Sequence, residues 1–238
     1  TYTERNINIQ TYRYTQRHIQ THMQAHTHAG THARLRHNAP MQLTDLSSRV
    51  IPATEYRRER WRNQLGWTRE ILRLGEPDDA WALRLSIAEI EQDAAFSAFP
   101  GIDRELVLLR GNGMQLQFGD GRQHSLLPPY QRLRFAGEEA VTAVLGDGPT
   151  QDFNLMWRRA VLQTELLHRP LVGTMLFFAD PGSAWAIHLL AGQASFGRDS
   201  GLPPLLAGDT AWLSARTRSR FVLDGGGELL AIRVSPAG

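Results

Sequence analysis

From Met41 onward the chain is dominated by short runs of alternating apolar and polar residues, separated by Gly, Pro, Asp and Asn. "WALRLSI", "ELVLLR", "MQLQF", "AVTAVL", "FNLMW", "TMLFFA", "AWAIHLL", "TAWLSA", "RFVLD" and "ELLAIRV" follow one another in this way. A chain so punctuated folds as strands joined by tight turns, which argues for an all-β sandwich or barrel. Helix is confined to two short predicted stretches, near "TEYRRERW" after Pro52 and near "AEIEQDAAF", and neither is long enough to be framework. The 238 residues suffice to bury a large core without crosslinks, and with no cysteine none can form. The same absence excludes thiolate catalysis and Cys-ligated zinc. No apolar run reaches the length of a membrane span and no apolar leader opens the chain, so a cytoplasmic protein is expected. There is no GxGxxG after a strand, no P-loop and no GxSxG elbow to anchor a nucleotide or serine-hydrolase reading.

Charge divides the chain. Residues 1 to 40 carry five arginines (Arg5, Arg13, Arg17, Arg34, Arg36) against Glu4, whereas residues 41 to 238 hold 21 basic residues against 23 acids. Six of the nine histidines lie in the same tail, among Gln and Thr, a composition too poor in apolar residues to offset chain entropy. Residues 1 to 40 are predicted to be disordered, with the functional chain beginning near Met41. His18, His22 and His26, then His28 and His32, recur at a spacing of four. On a helix that spacing could hold a transition metal, but low-complexity repetition produces it freely and no acid supports the ligands. The slightly acidic body gives no support to direct nucleic-acid binding.

Two halves rhyme. "ELVLLRGNGMQLQF" (105–118) and "WAIHLLAGQASFGR" (185–198) each read as strand, glycine turn, strand, and "LPPLLAGDTAWLSA" continues the cadence. This is similar to the cupin signature, and a duplicated cupin-like β-barrel, a bicupin with its second half at about 170–235, accounts for the length. Metal-binding cupins carry a histidine cluster; His124, His168 and His188 are widely separated and read as isolated core or surface residues. No metal and no other cofactor is predicted.

Four motifs in order, "WRNQLGWTREI" (61–71), "LRLSIAEI" (83–90), "FPGIDR" (99–104) and "GDGPTQDFNLM" (146–156), carry a more specific resemblance. Over most of residues 49 to 234 the chain resembles the HutD/Ves family of bacterial proteins linked to histidine utilisation and stress response. The resemblance implies a bicupin without the usual metal. It also implies a pocket for a small carboxylate or formyl-bearing intermediate of histidine breakdown, serving to sense the pathway or govern it. The chain departs from the family pattern at Gln64 and Leu65, where glycines are usual, and in "DAAFS" (93–97).

Residue alternation nominates the pocket. In "WALRLSIA" Trp81, Leu83, Leu85 and Ile87 point to one face, and Ala82, Arg84, Ser86 and Ala88 to the other. That second face is either a solvated strand face or a lumen offering a guanidinium fork for a carboxylate and a hydroxyl beside it. In "NQLGWTREI" Thr68 and Glu70 are expected to share a face with Leu72 and Leu74, opposite Trp67, Arg69 and Ile71. A glutamate so placed needs Arg84 or a ligand amine. Asn63 can bond a ligand or cap the turn before Gly66. In "FPGIDR", Asp103 and Arg104 read as turn-fixing groups, while Ser97 and Phe99 stand at the pocket mouth. Asp152, Asn154 and Met156 alternate with Phe153 and Leu155, and the two polar groups reach either a ligand or the preceding turn.

The expected ligand residues are therefore Arg84, Ser86, Asn63, Thr68, Glu70, Ser97, Phe99 and Asn154. Three functions fit: a metal-independent small-molecule-binding sensor of histidine catabolism, for urocanate, formylglutamate or a similar compound; a metal-independent enzyme such as a deformylase, with Glu70 as acid or base; and a structural or partner-binding bicupin with a vestigial pocket. Homodimerisation stays open.

Overall fold

The computed structural model describes residues 43–75 and 81–238. The expectations for residues 1 to 40 and for Met41, the tail histidines included, lie outside the described residues.

The described chain holds sixteen strands: β1 (Arg49–Ile51), β2 (Arg57–Arg60), β3 (Gly66–Gly75), β4 (Trp81–Ile90), β5 (Ala94–Ala95), β6 (Ile102–Arg110), β7 (Met114–Phe118), β8 (Gln123–Leu126), β9 (Arg132–Ala136), β10 (Val141–Leu145), β11 (Thr150–Arg158), β12 (Leu162–Ala179), β13 (Ala184–Phe196), β14 (Leu205–Leu206), β15 (Thr210–Ser214) and β16 (Ser219–Pro236). They form three antiparallel sheets, in the orders β2-β3-β4-β11-β6-β9, β5-β10-β7-β8 and β1-β15-β13-β16-β12, with β14 added to β13. The fold is all-β and cupin-like, although the three sheets are not closed into barrels.

Alternation decides what meets what. Leu83, Leu85, Phe153, Leu155 and Trp157 of the first sheet pack against Ala186, Trp212, Leu230 and Ile232 of the third. The intervening residues on the third sheet's strands, Ile187, Leu189, Leu213, Leu229 and Ala231, form a separate core with Leu171, Leu205 and Leu223. From the opposite face of the first sheet, Ile90, Leu106 and Leu108 meet Leu116, Phe118 and Val141 of the second. Each large apolar side chain so buried is worth about 1.5 to 3 kcal/mol, and period-two patterning is what lets one sheet serve two cores.

Two predictions from the pattern are corrected. Helix after Pro52 is a single 3-10 turn, Ala53–Glu55, followed by β2, and "AEIEQDAAF" supplies the end of β4 and the short β5. There, Ala88 and Ile90 face the core between two sheets, so tertiary burial overrides the helical propensity of the intervening charged residues. Nor does "WAIHLLAGQASFGR" turn at its glycine: β13 runs through Gly192, and β16 runs through Gly225, Gly226 and Gly227. Gly192 and Gly227 have φ of 86° and 138°, and the β13–β16 register shifts between Leu189 and Ala191. The glycines mark a bulge at which two backbones nearly touch.

His188 joins the first and third sheets. Its ring is buried 5.1 Å from that of Phe153, and its Nδ1 lies 2.9 Å from Thr210 Oγ1. Thr210 in turn lies 2.8 Å from the Tyr56 hydroxyl, which donates to the Gly208 carbonyl at 2.7 Å. Burial, with some help from the charge of Arg69, pushes the imidazole down to about 3. Because the folded value lies below the unfolded one, the unfolded chain gains the proton first. This stabilisation is complete above about pH 6.5 and is lost as pH falls toward 3, at about 1.4 kcal/mol per pH unit within the window. Thermal unfolding between pH 4 and 7 should show that slope in the wild type and a flatter one in His188→Phe; equal slopes would deny His188 the role.

Candidate functional site

Strand register assembles a grid of side chains on the face of the first sheet that meets the second. Across β3, β4, β11 and β6 the rows run Thr68, Ala88, Asp152, Leu108; then Glu70, Ser86, Asn154, Leu106; then Arg73, Arg84, Met156, Arg104. Cross-strand neighbours share a face, so eight polar side chains from four strands converge. Over this grid lies a cavity of about 580 Å³, whose walls include the β2–β3 loop (Trp61 to Asn63) and the segment from Phe96 to Phe99.

Two bulges set the phase. The β3–β4 register shifts between Glu70 and Leu72, so Ile71 takes the extra place and Arg73 follows Glu70 on the site face. Leu72 and Leu74 therefore lie in the core opposite Glu70 rather than beside it. A second shift next to Gly75 turns Trp81 away from Leu83: its ring packs with Ile102 and Met156 and meets Phe99 edge-on at 6.2 Å.

Glu70 is the anchor of the basic wall. Its Oε2 accepts from Arg84 Nε at 2.9 Å and from Arg73 at 3.1 Å (Nε) and 2.5 Å (Nη2). Burial works to raise this carboxyl, but the bonds and charges of Arg73 and Arg84 outweigh it and hold Glu70 below its ordinary value. The partner left open by the sequence is thus Arg84, joined by Arg73, and Glu70 stands behind them rather than on the cavity wall.

Arg104 is the residue the sequence reading placed wrongly. It fixes no turn. It is 5% exposed, on the cavity wall, with its guanidinium carbon 4.9, 5.9 and 5.2 Å from the rings of Phe96, Phe99 and Phe135. Three aromatic faces favour a cation there, while burial first and Arg84 second push its pKa down to about 10. Asp103 points the other way and takes Arg134 and Arg159, each at 2.7 Å. The signal was available: in "IDRELVLL" Arg104 has the parity of Leu106 and Leu108, which a buried face requires.

Among the nominated residues, Arg84, Asn63, Thr68, Ser97, Phe99 and Asn154 lie on the cavity wall. Asn63 also caps its turn, Oδ1 accepting from Leu65 N–H at 3.1 Å, and Thr68 Oγ1 accepts from Trp61 Nε1–H at 2.8 Å. Ser86 is buried in the grid beside them; its hydroxyl, the Asn154 Oδ1, the Arg104 Nε and both Asp152 oxygens have no partner among the described residues. Buried polar atoms are nearly always paired with protein or ordered water, so five such atoms on one patch leave hydrogen-bonding capacity there for water or a ligand. Elsewhere, His168 lies 3.3 Å from Glu228 and under the Tyr130 ring, and His124 is exposed on β8.

Fold and site define an all-β, cupin-like protein whose arginine-walled cavity lies between two sheets. The chain belongs to the HutD family: the family model described as HutD matches residues 53–231. An "uncharacterized 21.2 kDa protein in hutC 3'region" of Pseudomonas putida is 40% identical over 109 residues, 45% of this chain and 57% of that protein. The match thus spans little more than half of that relative's length. Among solved structures, HutD from Pseudomonas fluorescens SBW25, described under a formate condition, has a TM-score of 0.70 at 27% identity and covers 81% of this chain and all of that one. A conserved protein of unknown function from Pseudomonas aeruginosa PAO1 gives 0.69 at 25%, with 81% of this chain and all of that one covered.

Proposed function

We propose that the protein is a metal-independent cupin-type binder that senses or sequesters a small carboxylate or formylated intermediate of histidine catabolism in the cytoplasm. The observation that carries this reading is the pair Arg84 and Arg104 on one cavity wall, with the unpartnered Ser86 hydroxyl and Asn154 carbonyl in the next row of the grid. Two guanidiniums present N–H donors to an anion, and the neutral groups offer a donor and an acceptor for a formyl or amide group. A hutC-region relative and a family structure under a formate condition support the choice of ligands. Binding fits better than turnover, because Glu70, the nominated acid or base, is committed to two arginines and ionised.

Calorimetric titration of the full chain with formate, urocanate, N-formylglutamate and formiminoglutamate, each mixture then assayed for product, tests the reading. Heat with the ligand recovered intact is the expected result. Appearance of product that Glu70→Gln abolishes would make the protein an enzyme, and no heat from folded protein would remove the anion-binding role.

A further inference from the structure

Asp152 stands at the floor of the cavity with 0% exposure, between Ala88 of β4 and Leu108 of β6. Neither of its oxygens has a hydrogen-bond partner among the described residues. Other aspartates of this chain behave differently. Asp209, also buried, accepts the Ala53 and Leu206 N–H groups at 2.8 and 3.0 Å, and Asp103 accepts two arginines at 2.7 Å. An ionised carboxylate taken out of water gathers donors in this way. Asp152 has gathered none, even with a guanidinium on the same wall.

Resting on the anion-binding reading above, we infer that Asp152 meets the ligand as a neutral acid, donating its O–H to the bound carboxylate, so that anion and proton are held together. The geometry requires an acceptor for that O–H, and no described residue stands within hydrogen-bond distance: the cross-strand neighbours of Asp152 are Ala88 and Leu108, and Ser86 and Asn154 in the next row do not reach it. A ligand carboxylate held by Arg84 and Arg104 supplies it. The proton remains on Asp152 and is shared in the hydrogen bond, so no bond is broken.

Burial is the main influence on Asp152, raising it to about 8 against the lowering effect of Arg104, so the acid form prevails at neutral pH. The charged groups facing it are Arg104 on β6, Arg84 on β4, and on β3 Glu70 and Arg73, which are tied to one another and to Arg84. Glu59, Arg60 and Arg62 stand at the cavity wall in the β2–β3 segment. The buried residues that the second sheet turns toward this face, Leu116, Val141 and Ala143 among them, are apolar. Above about pH 8 an ionised Asp152 places a second negative charge against the bound anion, and affinity falls.

Formate remains ionised from pH 6 to 9, which makes it the probe. Its affinity for the full-chain protein, measured by calorimetry, should be flat up to about pH 8 and then fall toward a slope of about tenfold per pH unit. In Asp152→Asn the slope should vanish, whatever the affinity of that variant. Formate binding that is flat across the range, rises with pH, or falls equally in Asp152→Asn overturns the proton-carrying role and leaves the anion pocket standing. No formate binding by wild type at any pH overturns both.

Discussion

Gly227→Ala is expected to destabilise the fold severely. Its Cβ would lie within the envelope of the Ala191 carbonyl oxygen and 2.7 Å from the carbonyl carbon, on the partner strand of a bulge. That carbonyl belongs to backbone held to β16 before and after the bulge and cannot retreat as a side-chain tip would. Gly192 faces Gly226 in the same manner, so each strand blocks the other's adjustment. A φ of 138° adds strain of its own for any L-residue. Together these should cost about 3 to 5 kcal/mol, the scale of severe core lesions, against a typical total of about 5 to 15. Gly121→Ala separates the two causes, since that glycine has φ of 89° and open space where its Cβ would lie. It should cost only about 1 kcal/mol. Urea unfolding of both variants is the measurement, and a Gly227→Ala loss no larger than that of Gly121→Ala would show that the strands separate there at little cost.

For binding, the largest effect is expected from Arg84→Ala. A charged hydrogen bond to a ligand carboxylate is worth about 1.5 to 3 kcal/mol, or about 10- to 150-fold in affinity. The substitution also leaves Glu70 with Arg73 alone, so the negative charge that two arginines offset faces the ligand more openly. Arg134→Ala is the matching control: it pairs with Asp103 away from the cavity, and its side chain is half exposed. Calorimetry should find formate affinity lost in the first and kept in the second, with both folded by circular dichroism. Equal affinities in wild type and Arg84→Ala would place the anion elsewhere.

Alternation made much of this legible. It grouped Arg84 with Ser86 on β4 and Asp152 with Asn154 on β11, because those stretches are regular strands with an apolar opposite face, but it left open whether the shared face is a lumen or solvated. It failed where one residue is added to a strand. Nothing in "TREILRL" announces that Ile71 is a bulge, since the choice is made by the pairing of β3 with β4, and everything beyond it changes face. Arg104 was lost for a different reason. Flanked by Asp103 and Glu105, it looks like part of a polar turn, and only the aromatic rings of Phe96, Phe99 and Phe135, brought from two places in the chain, make a buried cation tolerable. Asp152, by contrast, was named but left divided between ligand and turn. Its two unpartnered oxygens could be seen only once the strands on either side were known. Glycine runs misled in the opposite sense, being read as turns where two long strands bend together.

The pairing of β1 with β15 has a bearing on how the molecule comes to be made. Ser48 bonds to Ser214, 166 positions later, and Arg49 to Ile51 zip onto Thr210 to Trp212 beside it. A ribosome delivers β1 long before its partner exists, so β1 must wait while β2 to β14 are synthesised, and the last strands to emerge complete the sheet that holds it. Such non-local closure belongs to the slow end of domain folding, on the order of milliseconds to seconds. During the wait the apolar face that Trp212, Leu230 and Ile232 will cover stands open on the first sheet, and that is the interval in which a nascent chain of this kind depends on chaperones.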